Sequence, residues 1–183
     1  ESQMRSLVYH KWMPHVHCDY HEMGYNSPYY FAPAAEPYHE SITDCQRTFQ
    51  EELGNATAMN FDARGELYYT RESFDLLYPS YGDTYHIYNG SIGMTYEQGG
   101  SGRAGLAVIT QVGDTLRLAD RVEHHVTTGL STVETSARNA QKLVVEYQKF
   151  CTSKTSKYNS YVLRDTKATF DPILNLLGKN KID

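Results

Sequence analysis

Cysteine is scarce in this chain: the three residues, Cys18, Cys45 and Cys151, lie far apart. They form no Cys-x-x-Cys pair of metal-binding spacing and are too few for a disulfide framework, and they leave the redox compartment unread. Long apolar runs are missing as well, and no segment approaches the roughly 20 residues that cross a bilayer. A basic patch is also absent. Lys and Arg number 17 against 22 Asp and Glu, a formal charge of −5, and the basic residues are scattered. That argues against a nucleic-acid surface, which needs a phosphate-neutralising cluster. No signal-peptide pattern occurs either; because the chain opens on Glu1 without a Met, its start reads as a processed end or an internal boundary.

What remains is an ordinary globular composition, 40 % hydrophobic and 21 % charged over 183 residues, enough for one domain with a real core. Tyrosine is the outlier at 16 residues, most of them between Tyr20 and Tyr96. Its apolar ring and hydroxyl suit a binding groove or a wet interface, and equally a Tyr-rich core.

The most informative stretch runs from His17 to Gly24, His-Cys-Asp-Tyr-His-Glu-Met-Gly. With His15 upstream, His15, His17, Asp19 and His21 occupy every second position, one face of a β-strand, while Val16 and Cys18 face a core. Imidazole and carboxylate are the usual ligands of zinc. Four residues strung along one strand cannot share an ion, so one or two would be ligands. Asp19 is then a candidate for orienting a liganding imidazole. The alternative is that these are hydrogen-bonded structural histidines or a polar face open to solvent.

Along the chain, residues 1–12 read as a short helix or lead-in and 14–20 as a buried strand. Residues 26–37 read as a loop. A helix is expected from about His39 to Leu53, stopped by Gly54, with Ile42, Cys45, Phe49 and Leu53 as its apolar stripe. Residues 62–65 signal a turn before a β-prone run, 73–77 a helical turn and 79–90 a loop. Strands are expected at 91–97 and 105–110, with a turn at Gly113-Asp114. From Leu118 to Phe150 the pattern predicts one long helix, bent at Gly129. Its single face would carry Val122, Val126, Leu130, Val133, Ala137, Ala140, Val144 and Tyr147. Residues 152–157 read as a polar linker, 161–163 as a strand and 172–177 as a short helix, so residues 151–183 look like a linker and the start of a following domain.

Glu97 ends a predicted strand and opens the Gln-Gly-Gly-Ser-Gly turn. A partly desolvated carboxylate there suits a general base, and the glycines allow a ligand to approach the backbone. A surface carboxylate capping a loop would look the same.

Two segments together resemble the zinc carboxypeptidase family, in particular its large bacterial multidomain members. One is Asp19-Tyr-His-Glu-Met-Gly-Tyr-Asn-Ser-Pro-Tyr-Tyr-Phe-Ala-Pro; the other is Tyr78-Pro-Ser-Tyr-Gly-Asp with Tyr88-Asn-Gly-Ser-Ile-Gly-Met-Thr-Tyr-Glu-Gln-Gly-Gly. The resemblance covers about residues 8–150 and implies an α/β fold, a mixed β-sheet flanked by helices. It implies that His21 is the third zinc ligand and that Glu97 is the catalytic glutamate, activating a zinc-bound water and passing its proton to the leaving amine. Tyr88 resembles the tyrosine that closes over the substrate, with Tyr81 and Tyr85 as rivals. Exported relatives imply a periplasmic or secreted location.

The chain departs from that pattern in one respect. None of its eight histidines has a Glu three residues later, so the family's His-x-x-Glu ligand pair is missing, and Arg103 matches no substrate-binding arginine motif. Residues 1–150 therefore read as the C-terminal half of a peptidase domain, inactive alone. The expected partners are a peptide-like substrate, the missing N-terminal half and a second copy through an exposed sheet edge; nucleic acid and a membrane span are not expected. The competing expectation is a non-catalytic peptide-binding or scaffold domain of the same fold. A metal site made by His15, His17 and His21 alone is a third.

Overall fold

A computed structural model describes residues 2–153, 158, 160–164, 166–180 and 182. In chain order the elements are α1 (Ser2–Trp12), β1 (Val16–Met23), β2 (Tyr29–Tyr30), α2 (Asp44–Asp62), β3 (Tyr68–Tyr69), α3 (Thr84–Tyr88), β4 (Ile92–Gly99), β5 (Ala107–Ile109), β6 (Thr115–Arg117), α4 (Leu118–Arg138), α5 (Ala140–Thr152) and α6 (Lys167–Lys179). They divide into two compact units: His15–Cys151, and Glu1–Pro14 with Thr152–Asp183. In the smaller unit α1 packs on α6, with His10 Nε2 2.9 Å from Asn180 Oδ1. Residues 161–163 form no strand; residues 154–157 of the expected linker lie outside the described residues.

The larger unit is an α/β fold built on a mixed sheet of order β1-β4-β2-β3. β1 and β4 run parallel, β2 is antiparallel to β4, and β3 is parallel to β2. Residues of even number on β1 and β4 share one face. There Met94 and Tyr96 join Tyr29, Phe31, Phe49, Leu53 and Phe61 in the main apolar core, beneath α2 and α4. The odd-numbered face holds Asp19, His21 and Glu97.

Local chemistry explains where the helices differ from expectation. α2 starts at Asp44 because Thr43 and Gln46 close a capping box, and Gln46 also donates to the Ile87 and Ser91 carbonyls at 2.8 Å, tying the helix to α3 and to the residue that leads into β4. Gly54 does not stop α2. It lies inside the helix, where a Cβ would strike the Ala32 carbonyl, so glycine serves close packing there. Residues 73–77 form no helix, whereas the expected loop at 79–90 contains α3.

The long helix is two helices, α4 and α5, divided at Asn139, whose side chain donates to Glu52 and to the Thr135 carbonyl. Its expected apolar face is also reversed within α4. Thr127, Thr128, Ser131, Thr132 and Thr135 are buried, while Val122, Val126, Leu130 and Val133 are exposed. Hydroxyls face the sheet because the sheet offers hydroxyls: Thr132 Oγ1 lies 2.5 Å from Tyr96 Oη and Thr128 Oγ1 3.0 Å from Tyr29 Oη.

Candidate active site

Parallel pairing in register sets Asp19 beside Thr95 and His21 beside Glu97, near the carboxyl ends of β1 and β4. Side chains alternate along a strand, so Asp19, His21 and Met23 share a face with Thr95 and Glu97. His21 Nε2 lies 2.9 Å from Asp19 Oδ2. The carboxylate thereby fixes the ring and leaves Nδ1 as the nitrogen available to a ligand, the carboxylate–histidine arrangement common behind bound metals. His21 remains half exposed.

Glu97 is buried, and its Oε2 has no hydrogen-bond partner among the described residues. Burial raises its pKa above the ordinary carboxyl range; nearby His21 opposes that shift, while Asp19 and Asp83 reinforce it. The cover is apolar and aromatic. Tyr30 of β2 pairs with Glu97 on the side away from His21. The Tyr69 hydroxyl, on β3 at the far edge, donates to Met23 Sδ at 3.3 Å, so the Met23 side chain lies across the face between the edge strands.

The loop before α3 completes the surroundings. Asp83 is buried, accepting from Thr84 at 3.0 Å and from Thr95 at 2.9 Å. Gly82 sits directly on the Asp19 carboxylate, where a Cβ would collide with it, and this sets the neighbouring Tyr81, 58 % exposed, at the rim of the site. Tyr88 instead donates to the Leu76 carbonyl at 3.2 Å and meets His39 edge-on. Tyr85 packs edge-on against His86. Of the three tyrosines, Tyr81 is the one whose loop touches the Asp19–His21 pair.

His15 and His17 do not join His21. His15 packs against Tyr147, and the His17 ring lies 3.4 Å, centroid to centroid, from that of His86. Among the described residues no group of three or more His, Cys, Asp or Glu side chains is arranged to hold a metal ion. His21 and Asp19 therefore do not by themselves make a metal site among the described residues.

Three contributors were not singled out from sequence. Asp83 lay in a quoted Tyr-Gly-Asp segment, and its buried position depends on Thr95, twelve residues later on β4. Met23 reads as an ordinary strand residue. Arg121 of α4 is buried and ties the strand end to the glycine-rich turn, its Nη1 3.0 Å from Glu22 and its Nη2 donating to the Gly105 carbonyl. Only the adjacency of Arg121 to an acidic strand end, invisible in one dimension, could have marked it.

Compared with protein families, curated proteins and solved structures, the chain matches none.

Proposed function

We propose that residues 15–151 carry part of the site of a zinc-dependent hydrolase of peptide or amide bonds, of the zinc carboxypeptidase type, with its remaining metal ligands supplied from outside these 183 residues. One observation carries the reading: a carboxylate-backed histidine and a buried glutamate, its pKa raised by that burial, stand opposite each other at neighbouring parallel strand ends. The ion would supply Lewis-acid polarisation of water and of the scissile carbonyl. His21 would hold it through Nδ1, with Asp19 fixing the ring. Glu97 would take the proton of the attacking water and hand it to the leaving amine, a task that a raised pKa suits. Tyr81, or Tyr88 after a rearrangement of α3, would contact the substrate.

The incomplete donor set favours a second reading, a non-catalytic peptide-binding domain. The two part experimentally. The natural protein, including whatever coding sequence precedes Glu1, is assayed with zinc on peptides bearing free or amidated C-termini. Hydrolysis lost in Glu97→Gln, with zinc content kept, supports the hydrolase. Peptide binding without turnover in the zinc-loaded wild type overturns it.

A further inference from the structure

We infer that His124 and Glu66 form a proton-operated clasp beneath the carboxyl end of β4. One proton taken up between them joins α4 to the segment leading into β3 and pins Gln98, the residue after Glu97. The clasp stands on geometry alone; its bearing on catalysis rests on the hydrolase reading.

Hydrogen-bond accounting fixes where the protons are. Gln98 is buried, and its carboxamide lies between two partners. Its Nε2 donates to the Gly99 carbonyl at 3.0 Å. A carbonyl only accepts, so the amide nitrogen belongs on that side and Oε1 faces His124, whose Nδ1 is 2.7 Å away. Nδ1 must therefore carry hydrogen. In a neutral imidazole the other nitrogen is then bare, and Nε2 turns its lone pair to Glu66 Oε2 at 3.5 Å. Two acceptors confront each other there. Glu66 Oε2 is shielded from solvent and has no hydrogen-bond partner among the described residues.

The surroundings leave this contact to be settled by a proton. Phe61 of α2 lies against the imidazole at 5.4 Å between ring centroids, and Tyr29 of β2 meets it edge-on at 5.7 Å. Arg64 is the cation nearby. Its Nη1 is 2.9 Å from Glu123 and 4.0 Å from Glu66 Oε1, which leaves Oε2 to the imidazole. On α4 itself Asp120 and Glu123 flank His124, and the adjoining His125 turns to the Tyr29 hydroxyl at 2.8 Å. Burial, with Arg64, holds His124 below the ordinary histidine range, and Glu66, Asp120 and Glu123 oppose them. Uptake therefore comes later on acidification than at an exposed histidine.

A proton added at Nε2 turns the acceptor–acceptor contact into a charge-assisted N–H···O bond. The ring then donates from both nitrogens, to Glu66 and to Gln98. This fastens β4 through Gln98, α4 through His124 and the approach to β3 through Glu66. Tyr96 is already anchored on α4 by Thr132. Glu97 lies between the two anchors, one permanent and one set by pH, so the clasp governs how firmly that carboxylate is held.

Magnetic resonance of the full chain with nitrogen-labelled histidine tests the assignment. Near pH 8 His124 should be the tautomer protonated at Nδ1, and acidification to about pH 5 should protonate Nε2 in step with a shift of the Glu66 carboxyl signal. Over that range, hydrogen-exchange protection of the amides at 97–99, taken relative to Met94, should rise about tenfold. Glu66→Gln supplies a carboxamide that donates to Nε2 without any added proton. In that variant the protection ratio should be high at both pH values, and His124 should stay neutral at least about one pH unit further down. An Nε2–H tautomer near pH 8, or a wild-type ratio that does not move with pH, would overturn the clasp. So would a ratio in Glu66→Gln that is low at both values, the mark of lost charge alone, or one that still varies with pH, which would point to Glu97. None of these readouts involves turnover, so the clasp stands or falls separately from the hydrolase reading.

Discussion

Burial raises the pKa of Glu97, so the folded chain holds this proton more tightly than the unfolded chain does. For a carboxyl shifted upward, the favourable contribution is complete below the ordinary carboxyl pKa and is lost as pH climbs through the raised folded value. At neutral pH Glu97 therefore opposes folding, and its unpartnered Oε2 adds to that. Glu97→Gln should raise the melting temperature by about 2–4 °C at pH 7, equivalent to about 1 kcal/mol, with the gain shrinking toward zero near pH 4. Calorimetric melts at the two pH values check this; an equal gain at both would mean that titration is not the cause. The same variant would end the proposed hydrolysis, the trade between stability and activity expected of a working carboxylate. Gly82 makes a second case. A methyl group there displaces the Asp19 carboxylate, so Gly82→Ala should loosen the His21 ring, visible as altered imidazole resonances in NMR spectra, while the main core is untouched.

At the scale of elements, α4 shows how neighbours override periodicity. An apolar stripe at helical spacing normally faces the core, but here tyrosine hydroxyls from β2 and β4 need partners in a buried layer, and α4 meets them with threonines. Thr132→Val, which adds apolar surface to a buried position, should nonetheless destabilise by about 1–2 kcal/mol because Tyr96 loses its oxygen partner. Val126→Thr, on the exposed side, should change stability by less than about 0.5 kcal/mol. Urea melts of the pair measure both; the opposite order would mean that the Thr face does not hold the helix. The elements themselves were largely legible in the sequence: β1 from alternation at His15 to His21, β4 from Ile92, Met94 and Tyr96, and the β5–β6 turn from Gly113-Asp114. What escaped depends on contacts distant in the chain. The orientation of α4 follows from Tyr29 and Tyr96, and the passage of α2 through Gly54 follows from Ala32.

For the molecule as a whole, the sheet order makes one part of the site legible and hides another. A strand ending in Asp-Tyr-His and one ending in Tyr-Glu can be found separately, but their adjacency in register follows only from β4 inserting between β1 and β2, which pairs residues 76 apart, His21 with Glu97. The same order leaves β1 at the edge among the described strands, so His21 has Glu97 beside it on one side and no described strand on the other. A lone imidazole backed by one carboxylate binds zinc weakly, because a tight site draws on three or four protein ligands. Titration of the full chain with zinc in the calorimeter should thus show no stoichiometric tight binding, and only a weak heat little changed in His21→Ala. The seven histidines other than His21 would account for that background. Tight one-to-one binding lost in His21→Ala would mean that the chain closes the site by itself, with donors brought to β1 by a rearrangement of its own loops.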